Sequence, residues 1–303
     1  MAGKQVTELD ALPSFTDNSL LPVHNGAGLK KGLLSQLASY LGSKFSNPNL
    51  LINPDFKINQ RGQRTYSSTG AGGTVDRWVG TNVKTVVNSD GTVTVSSLSG
   101  TGYYTQLEEN ISYGKHTYSI YVQAITGTVK AFYKSKDSQG IELGTLKQGL
   151  NTFTSVDDGF KGFFLSIAGG SSVTLKYAKI EQGTVATSFI APNQAEEYLK
   201  CERFYQRVSL DLNPISLTNN QGFTPLKLET ALRSTPTVSY WTNKIAVKKT
   251  YIDMTVEMLQ FSKAWMSGSN VLAFQFTTSN NRISLMINNG QGIGDIALDA
   301  EIY

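Results

Sequence analysis

Hydrophobic and polar residues alternate in short stretches along most of this chain. Thr92-Val-Thr-Val-Ser96 alternates, as does Thr117-Tyr-Ser-Ile-Tyr-Val122. Ser172-Val-Thr-Leu-Lys-Tyr-Ala178 puts Val173, Leu175 and Tyr177 on one face of a regular strand. A period of two belongs to a strand buried on one side. Turn sequences separate these runs: Ser89-Asp-Gly91, Ser99-Gly-Thr-Gly102, Thr126-Gly127, Gln139-Gly140, Asp157-Asp-Gly159 and Gly169-Gly170. No long helical period lies between them, which argues against a parallel α/β fold. The pattern predicts an antiparallel sandwich or jelly roll over residues 48–190.

Both flanks read differently. Leu20-Leu-Pro-Val-His24 predicts a strand, Asn25-Gly26 a tight turn and Leu29-Lys-Lys31 the return. Leu34, Leu37, Ala38 and Leu41 make one stripe of a short helix that Gly42 is placed to end. So little apolar surface calls for a partner chain. Phe45-Ser-Asn-Pro-Asn49 reads as a linker. At the other boundary, Asn193 is an N-cap with Glu196 three positions on. A helix of about three turns is expected to Tyr205, with Ala195, Tyr198, Cys201 and Tyr205 near one face. Strand patterns then resume at Lys227-Leu-Glu229, Thr237-Val-Ser-Tyr240, Lys244-Ile-Ala-Val247, Val271-Leu-Ala-Phe-Gln-Phe276 and Arg282-Ile-Ser-Leu-Met-Ile287. The expected fold is mainly β. A segment with a short helix (1–47) precedes a jelly-roll-like β-sandwich (48–190), and a linking helix leads a second β-rich domain (191–303).

Composition narrows the function classes. Only 17% of residues are charged, where about 25% is usual, while Ser, Thr, Asn and Gly number 30, 30, 20 and 28. That is a polar, weakly charged surface built on strands and turns. The net charge of +4 is spread along the chain, and Lys30-Lys31 and Lys248-Lys249 are the longest basic runs. Nucleic acid is therefore not an expected partner. No apolar run reaches the roughly 20 residues that span a bilayer, and residues 1–10 lack an apolar signal core. Cys201 is the only cysteine, and one Cys with His24 and His116 does not make a zinc ligand set. No metal and no cofactor is expected.

Candidate chemistry is sparse. His-Glu-x-x-His, Gly-x-Ser-x-Gly and phosphate-loop patterns do not occur. Glycoside cleavage needs two converging carboxylates. Glu108 and Glu109 point to opposite faces of a strand, and Asp157-Asp158 sits in a turn, so both pairs read as solvated. Asp253, Glu257, Asp295, Asp299 and Glu301 could still meet in space. For sugar contact, Trp265 before the loop-like Met266-Ser-Gly-Ser-Asn270 is preferred, and Trp241 after the Thr237–Tyr240 strand comes second. Asn53-Pro54-Asp55 reads as a turn, and Arg61 and Arg77 as cross-links between strand ends through Asp76 or backbone carbonyls. Trp78 reads as a core anchor.

Several of these segments, in order, resemble landmarks of bacteriophage tail-fibre and virion-appendage proteins. Asn49-Leu-Leu-Ile-Asn-Pro-Asp-Phe-Lys-Ile-Asn-Gln-Arg-Gly62 with Val75-Asp-Arg-Trp78 is similar to the opening of a sandwich domain in that family. Lys179-Ile-Glu-Gln-Gly-Thr-Val-Ala-Thr-Ser-Phe189 resembles the strand that closes it. Glu197-Tyr-Leu-Lys-Cys-Glu-Arg-Phe-Tyr205 resembles the helix that follows, and Leu298-Asp-Ala-Glu-Ile-Tyr303 a terminal landmark. The resemblance implies a non-enzymatic fibre, made in a bacterial cytoplasm and carried on the virion. It implies an anchor to other virion proteins within residues 1–47, through Leu20, Leu21, Pro22, Val23, Leu34, Leu37 and Leu41. It further implies a homotrimer that meets a host-surface glycan or protein through its C-terminal β domains. A head fibre of the same fold and a small polysaccharide depolymerase are the alternatives.

Overall fold

The structure is a computed structural model that describes residues 19–24, 29–42, 45–156, 159–209, 216–218, 221–240, 246–248, 256–258, 260–266, 271–277 and 295–302. The predicted Asn25-Gly26 turn, Asp157, Asp158, Trp241, Asp253 and the Arg282–Ile287 run lie outside these residues. Near the N-terminus, β1 (Leu20–His24) pairs antiparallel with β2 (Leu29–Leu33), which leads into α1 (Leu34–Gly42). The helix runs through Gly42 and does not stop before it.

Twelve strands follow: β3 (Thr65–Ser68), β4 (Gly72–Gly73), β5 (Val79–Thr81), β6 (Val83–Val87), β7 (Val93–Ser97), β8 (Gly102–Ser112), β9 (His116–Thr126), β10 (Val129–Lys134), β11 (Gly140–Thr145), β12 (Gly149–Thr154), β13 (Phe160–Ile167) and β14 (Ser172–Gln182). They form two six-stranded antiparallel sheets, ordered β11-β10-β13-β8-β5-β4 and β12-β9-β14-β7-β6-β3. From β8 to β14 the chain changes sheet at almost every connection, which makes the sandwich jelly-roll-like. Alternation does the work locally. Val93 and Val95, Tyr118, Ile120 and Val122, and Val129, Ala131 and Tyr133 all point into one core. Tyr118 of one sheet meets Tyr133 and Phe163 of the other at 5.7 and 6.3 Å between ring centroids, so the inner faces interdigitate.

The segment between α1 and β3 plugs one end of this sandwich. Leu51 and Phe56 enter the core, and Asn53, Phe56 and Arg77 all adopt left-handed backbone conformations, with φ of 54°, 62° and 70°. Such conformations cost about 1–3 kcal/mol each and need support from outside. Asn53 supplies much of it. Its Nδ2 donates to Ile58 O and Asp76 O at 2.8 and 2.9 Å, its Oδ1 accepts from Ile58 N, and its carbonyl accepts from Trp78 Nε1. The Trp78 anchor expected from sequence is fully buried.

After the sandwich come α2 (Gln194–Glu202), β15 (Tyr205–Ser209), β16 (Ser216–Thr218), β17 (Gln221–Lys227), β18 (Thr237–Tyr240), β19 (Ala246–Lys248), β20 (Val256–Met258), β21 (Gln260–Met266), β22 (Val271–Thr277) and β23 (Asp295–Asp299). They make sheets ordered β15-β23-β18 and β16-β17-β22-β21, and a β19-β20 pair. Asn193 caps α2 as predicted, accepting from Ala195 N and Glu196 N. The rest of the helix differs from expectation. It ends at Glu202, and its buried residues are Glu197 and Cys201, while Ala195, Tyr198 and Leu199 are exposed. The cause is polar: Glu197 Oε1 accepts from the left-handed Asn53 N at 2.6 Å, which turns that face inward. Cys201 is a packed small residue, and burial pushes its thiol well above the usual range.

Candidate functional site

A side chain that meets a partner must leave the core, and the outward faces of the two sheets carry aromatic rows. On the β12-β9-β14 sheet the row is made by a register change. Leu175 pairs with Val122 in the core, Lys176 is an extra residue, and Tyr177 then pairs with Tyr121. A bulge flips every following side chain. Tyr177, expected beside Val173 and Leu175, therefore lies on the outward face, and Ala178 and Ile180 take the core positions. Leu150 pairs with Tyr121 from the next strand and is 57% exposed. The Tyr121 and Tyr177 rings are 5.6 Å apart, and Phe189 stacks on Tyr177 at 4.1 Å and 4°. Leu150, Tyr121, Tyr177 and Phe189 thus form one row across β12, β9, β14 and the returning chain.

That returning chain is clamped by the motif that closes the sandwich. Lys179 and Glu181 also face outward from β14, yet both are buried beneath it. Lys179 Nζ donates to Ser188 O at 3.0 Å and Ser46 Oγ at 3.1 Å, and pairs with Glu181 at 3.3 Å. Glu181 Oε1 accepts from Thr187 N at 2.9 Å. The clamp places Phe189 over Tyr177. Lys176, Gln123 and Thr152 are exposed beside the row, with Lys176 Nζ 5.6 Å from the Tyr121 ring centroid. The β10-β13-β8 sheet has its own outward row. Phe132 and Phe164 stack at 4.9 Å and 9°, and Tyr103 meets Phe164 edge-on at 6.1 Å. Both rows offer ring surface between polar side chains, which suits the alternating apolar and hydroxyl surface of a sugar.

Carboxylates gather elsewhere, where the plugged end of the sandwich meets the C-terminal residues. Arg77 Nη1 pairs with Glu301 Oε2 at 2.8 Å, its backbone N donates to Glu301 Oε1, and its Nη2 donates to Leu107 O at 2.5 Å. Arg61 Nη2 pairs with Asp299 at 2.9 Å. Their guanidinium groups lie 3.6 and 3.9 Å from the centroids of Phe204 and Tyr205. Glu109 meets Arg203 and Arg233 at 2.9 and 3.4 Å, and Glu108 lies 3.9 Å from Arg77. The solvated reading is corrected for Glu108, which is largely buried near Arg77, and holds for Glu109, which stays exposed while pairing with arginines at the surface. Asp299 and Glu301, two of the five dispersed acids, are held by Arg61 and Arg77. Among the described residues no group of three or more His, Cys, Asp or Glu could hold a metal ion.

Burial pushes Glu108 up to about 7, against the pull of Arg77, and burial pushes Asp76 up to about 6, against Arg61 and the Gln60 hydrogen bonds. Both folded values exceed the ordinary ones of 4.5 and 3.8. At these two sites the folded chain thus holds more protons than the unfolded chain between about pH 4 and 7, and stability from these groups is lost as pH rises through that window. Glu108→Gln, which stays neutral, should gain in melting temperature relative to the parent from pH 4 to 7. A relative loss with rising pH would mean that Arg77 outweighs burial.

The residues expected to act fall as follows. Trp265 is next to last in β21, opposite Ala273 in β22. Leu20, Leu21, Pro22 and Val23 lie in β1, and Leu34, Leu37 and Leu41 in α1, with Leu20, Leu37 and Leu41 exposed. The outward rows were missed. The row of Phe132, Phe164 and Tyr103 had a signal in the double Phe163-Phe164, since two adjacent aromatics in a regular strand face opposite ways.

No family model and no curated protein matches this chain. Among solved structures it is similar to a family 29 carbohydrate-binding module at 14% identity, over 43% of this chain and 97% of that one, with a TM-score of 0.30. A variant of such a module complexed with cellulohexaose aligns at 14% identity over 43% and 99%, also at 0.30. One chain of a structure of accessory secretory protein 1, 2 and 3 of Streptococcus pneumoniae aligns at 14% over 40% and 97%, at 0.23. Likeness of this degree does not bear on what the chain binds.

Proposed function

We propose that this chain is a non-enzymatic bacteriophage appendage protein that attaches to the virion by residues 1–47 and meets host-surface glycans through its β domains. The ordered motifs from Asn49 to the C-terminus support the appendage reading. The exposed Leu20, Leu37 and Leu41, with Tyr40 and Phe45 also exposed, give the N-terminal segment an apolar surface for virion proteins or for further copies of the chain. The observation that carries glycan contact is the row Leu150, Tyr121, Tyr177 and Phe189, which a bulge and a buried Lys–Glu clamp set on the open face of a sheet. Three copies in one fibre would add weak contacts into a firm attachment.

A glycan-array screen followed by titration tests the contact. Tyr121→Ala, on the outward face, should weaken binding to the best array glycan by about tenfold, or about 1.4 kcal/mol, with the melting temperature nearly unchanged. Unaltered binding would remove the row from the site. Release of oligosaccharide from host polysaccharide would overturn the non-enzymatic reading. Deletion of residues 1–47 should abolish incorporation into particles, and immunogold labelling of residues 194–303 reports whether the chain sits on tail or head.

A further inference from the structure

A second open site lies away from the aromatic rows. A cleft of about 300 Å³ opens between β3 and β4 of the sandwich and the β15-β23-β18 sheet. Arg61, Tyr66, Ser67, Ser68 and Gly73 line it from the sandwich side, and Tyr205, Ser239 and Asp299 from the other. Arg61 is more than nine-tenths buried, and its Nη1 has no hydrogen-bond partner. An orphaned guanidinium nitrogen in a folded protein calls for an explanation. Gly73 is part of the same construction: a Cβ there would fall on the guanidinium of Arg61, so only glycine lets Arg61 lie against that strand. Among the described residues, the hydroxyls of Ser67, Ser68 and Ser239 make no side-chain hydrogen bond. The three serine hydroxyls are therefore unused hydrogen-bonding groups at the cleft, whereas Arg61 Nη1 is itself sealed from solvent.

Its charge selects the ligand. Arg61 is held by Asp299, and Glu301 and Asp76 add to the negative field around it. The cationic charge is already compensated by Asp299, so an added carboxylate or phosphate would gain no unpaired cation from Arg61. A hydroxyl needs no such cation, and the serines and Asp299 together offer both donors and acceptors. We propose that this cleft is a second binding site, for a compact neutral polyhydroxy ligand such as a terminal hexose. The choice of sugar over another neutral polyol rests on the glycan reading above. The cleft's geometry and charge do not.

Ligand-observed NMR on the full chain tests this with methyl glycosides of glucose, galactose, mannose and N-acetylglucosamine, alongside glucuronate and galacturonate. At least one neutral glycoside should bind. Ser239→Trp and Ser67→Phe, at exposed positions on opposite walls, should each weaken it at least tenfold, while Tyr121→Ala leaves it unchanged. Because the two fillings approach from different sheets, misfolding of one variant still leaves the other to read. The proposal is overturned if no neutral glycoside binds, if both fillings leave binding intact, or if a uronate binds more tightly than its neutral counterpart. Loss on Tyr121→Ala alone would move the monosaccharide to the aromatic row. Failure of the row itself appears separately, as array binding that Tyr121→Ala does not alter.

Discussion

Arg77→Ala is expected to cost about 3–5 kcal/mol of unfolding free energy, one of the two largest effects in this chain. Both partners of the Arg77–Glu301 pair are 1% exposed at their side chains. Removing the guanidinium leaves a buried carboxylate without its cation, leaves Leu107 O without its donor and opens space against Phe204. Each loss has the same sign. Arg77→Met with Glu301→Leu should recover a good part of the cost, because a buried ion pair contributes little beyond what its desolvation takes away. Urea unfolding of the parent, the single variant and the double variant measures all three. A single-variant loss under about 1 kcal/mol would mean that water reaches Glu301 and the pair is not sealed.

Trp78→Ala should cost a similar amount, about 3–5 kcal/mol. Trp78 is fully buried and stacks on Tyr104 at 5.0 Å, with Phe56 at 5.1 Å and Phe163 at 6.4 Å. Its Nε1 donates to Asn53 O at 2.9 Å. The cavity and the lost donor both act on the strained Asn53–Phe56 turn. Trp78→Phe separates them, since it keeps much of the packing and loses the hydrogen bond; it should cost about 1–3 kcal/mol. The same unfolding assay resolves the two. Equal losses for Ala and Phe would assign the whole effect to the Asn53 contact.

The strands of the sandwich were legible because alternation is a local property. Val93 and Val95, Ile120 and Val122, and Val173 and Leu175 all face the core as their period of two requires. Tyr177 was not legible. One extra residue, Lys176, reverses its face, and a bulge depends on how β14 pairs with β9 and not on β14 alone. Helix α2 shows the same limit. Its cap followed from Asn193, but its apolar stripe pointed to Ala195 and Tyr198, and the fold buries Glu197. The stripe lost to one backbone N–H at Asn53, more than a hundred residues away, that needed an acceptor.

The arginines divide in the same way. The sequence points to Arg61 and Arg77 as cross-links through Asp76 or backbone carbonyls; Arg77 does reach the carbonyl of Leu107, but the Asp76 carboxylate is bonded by Gln60 instead. Their main partners, Asp299 and Glu301, lie more than two hundred residues on. Phe204 and Tyr205 leave the helix to cover both guanidinium groups.

By itself the sequence determined the class of fold, the sandwich strands, the cap of α2 and a polar, lightly charged surface, because propensity and periodicity act over a few neighbours. Tertiary structure decided which aromatics face outward, which carboxylates are spent on arginines and where a polar cleft stays open. Those outcomes depend on strand register and on pairs far apart in the chain, and no local pattern encodes either.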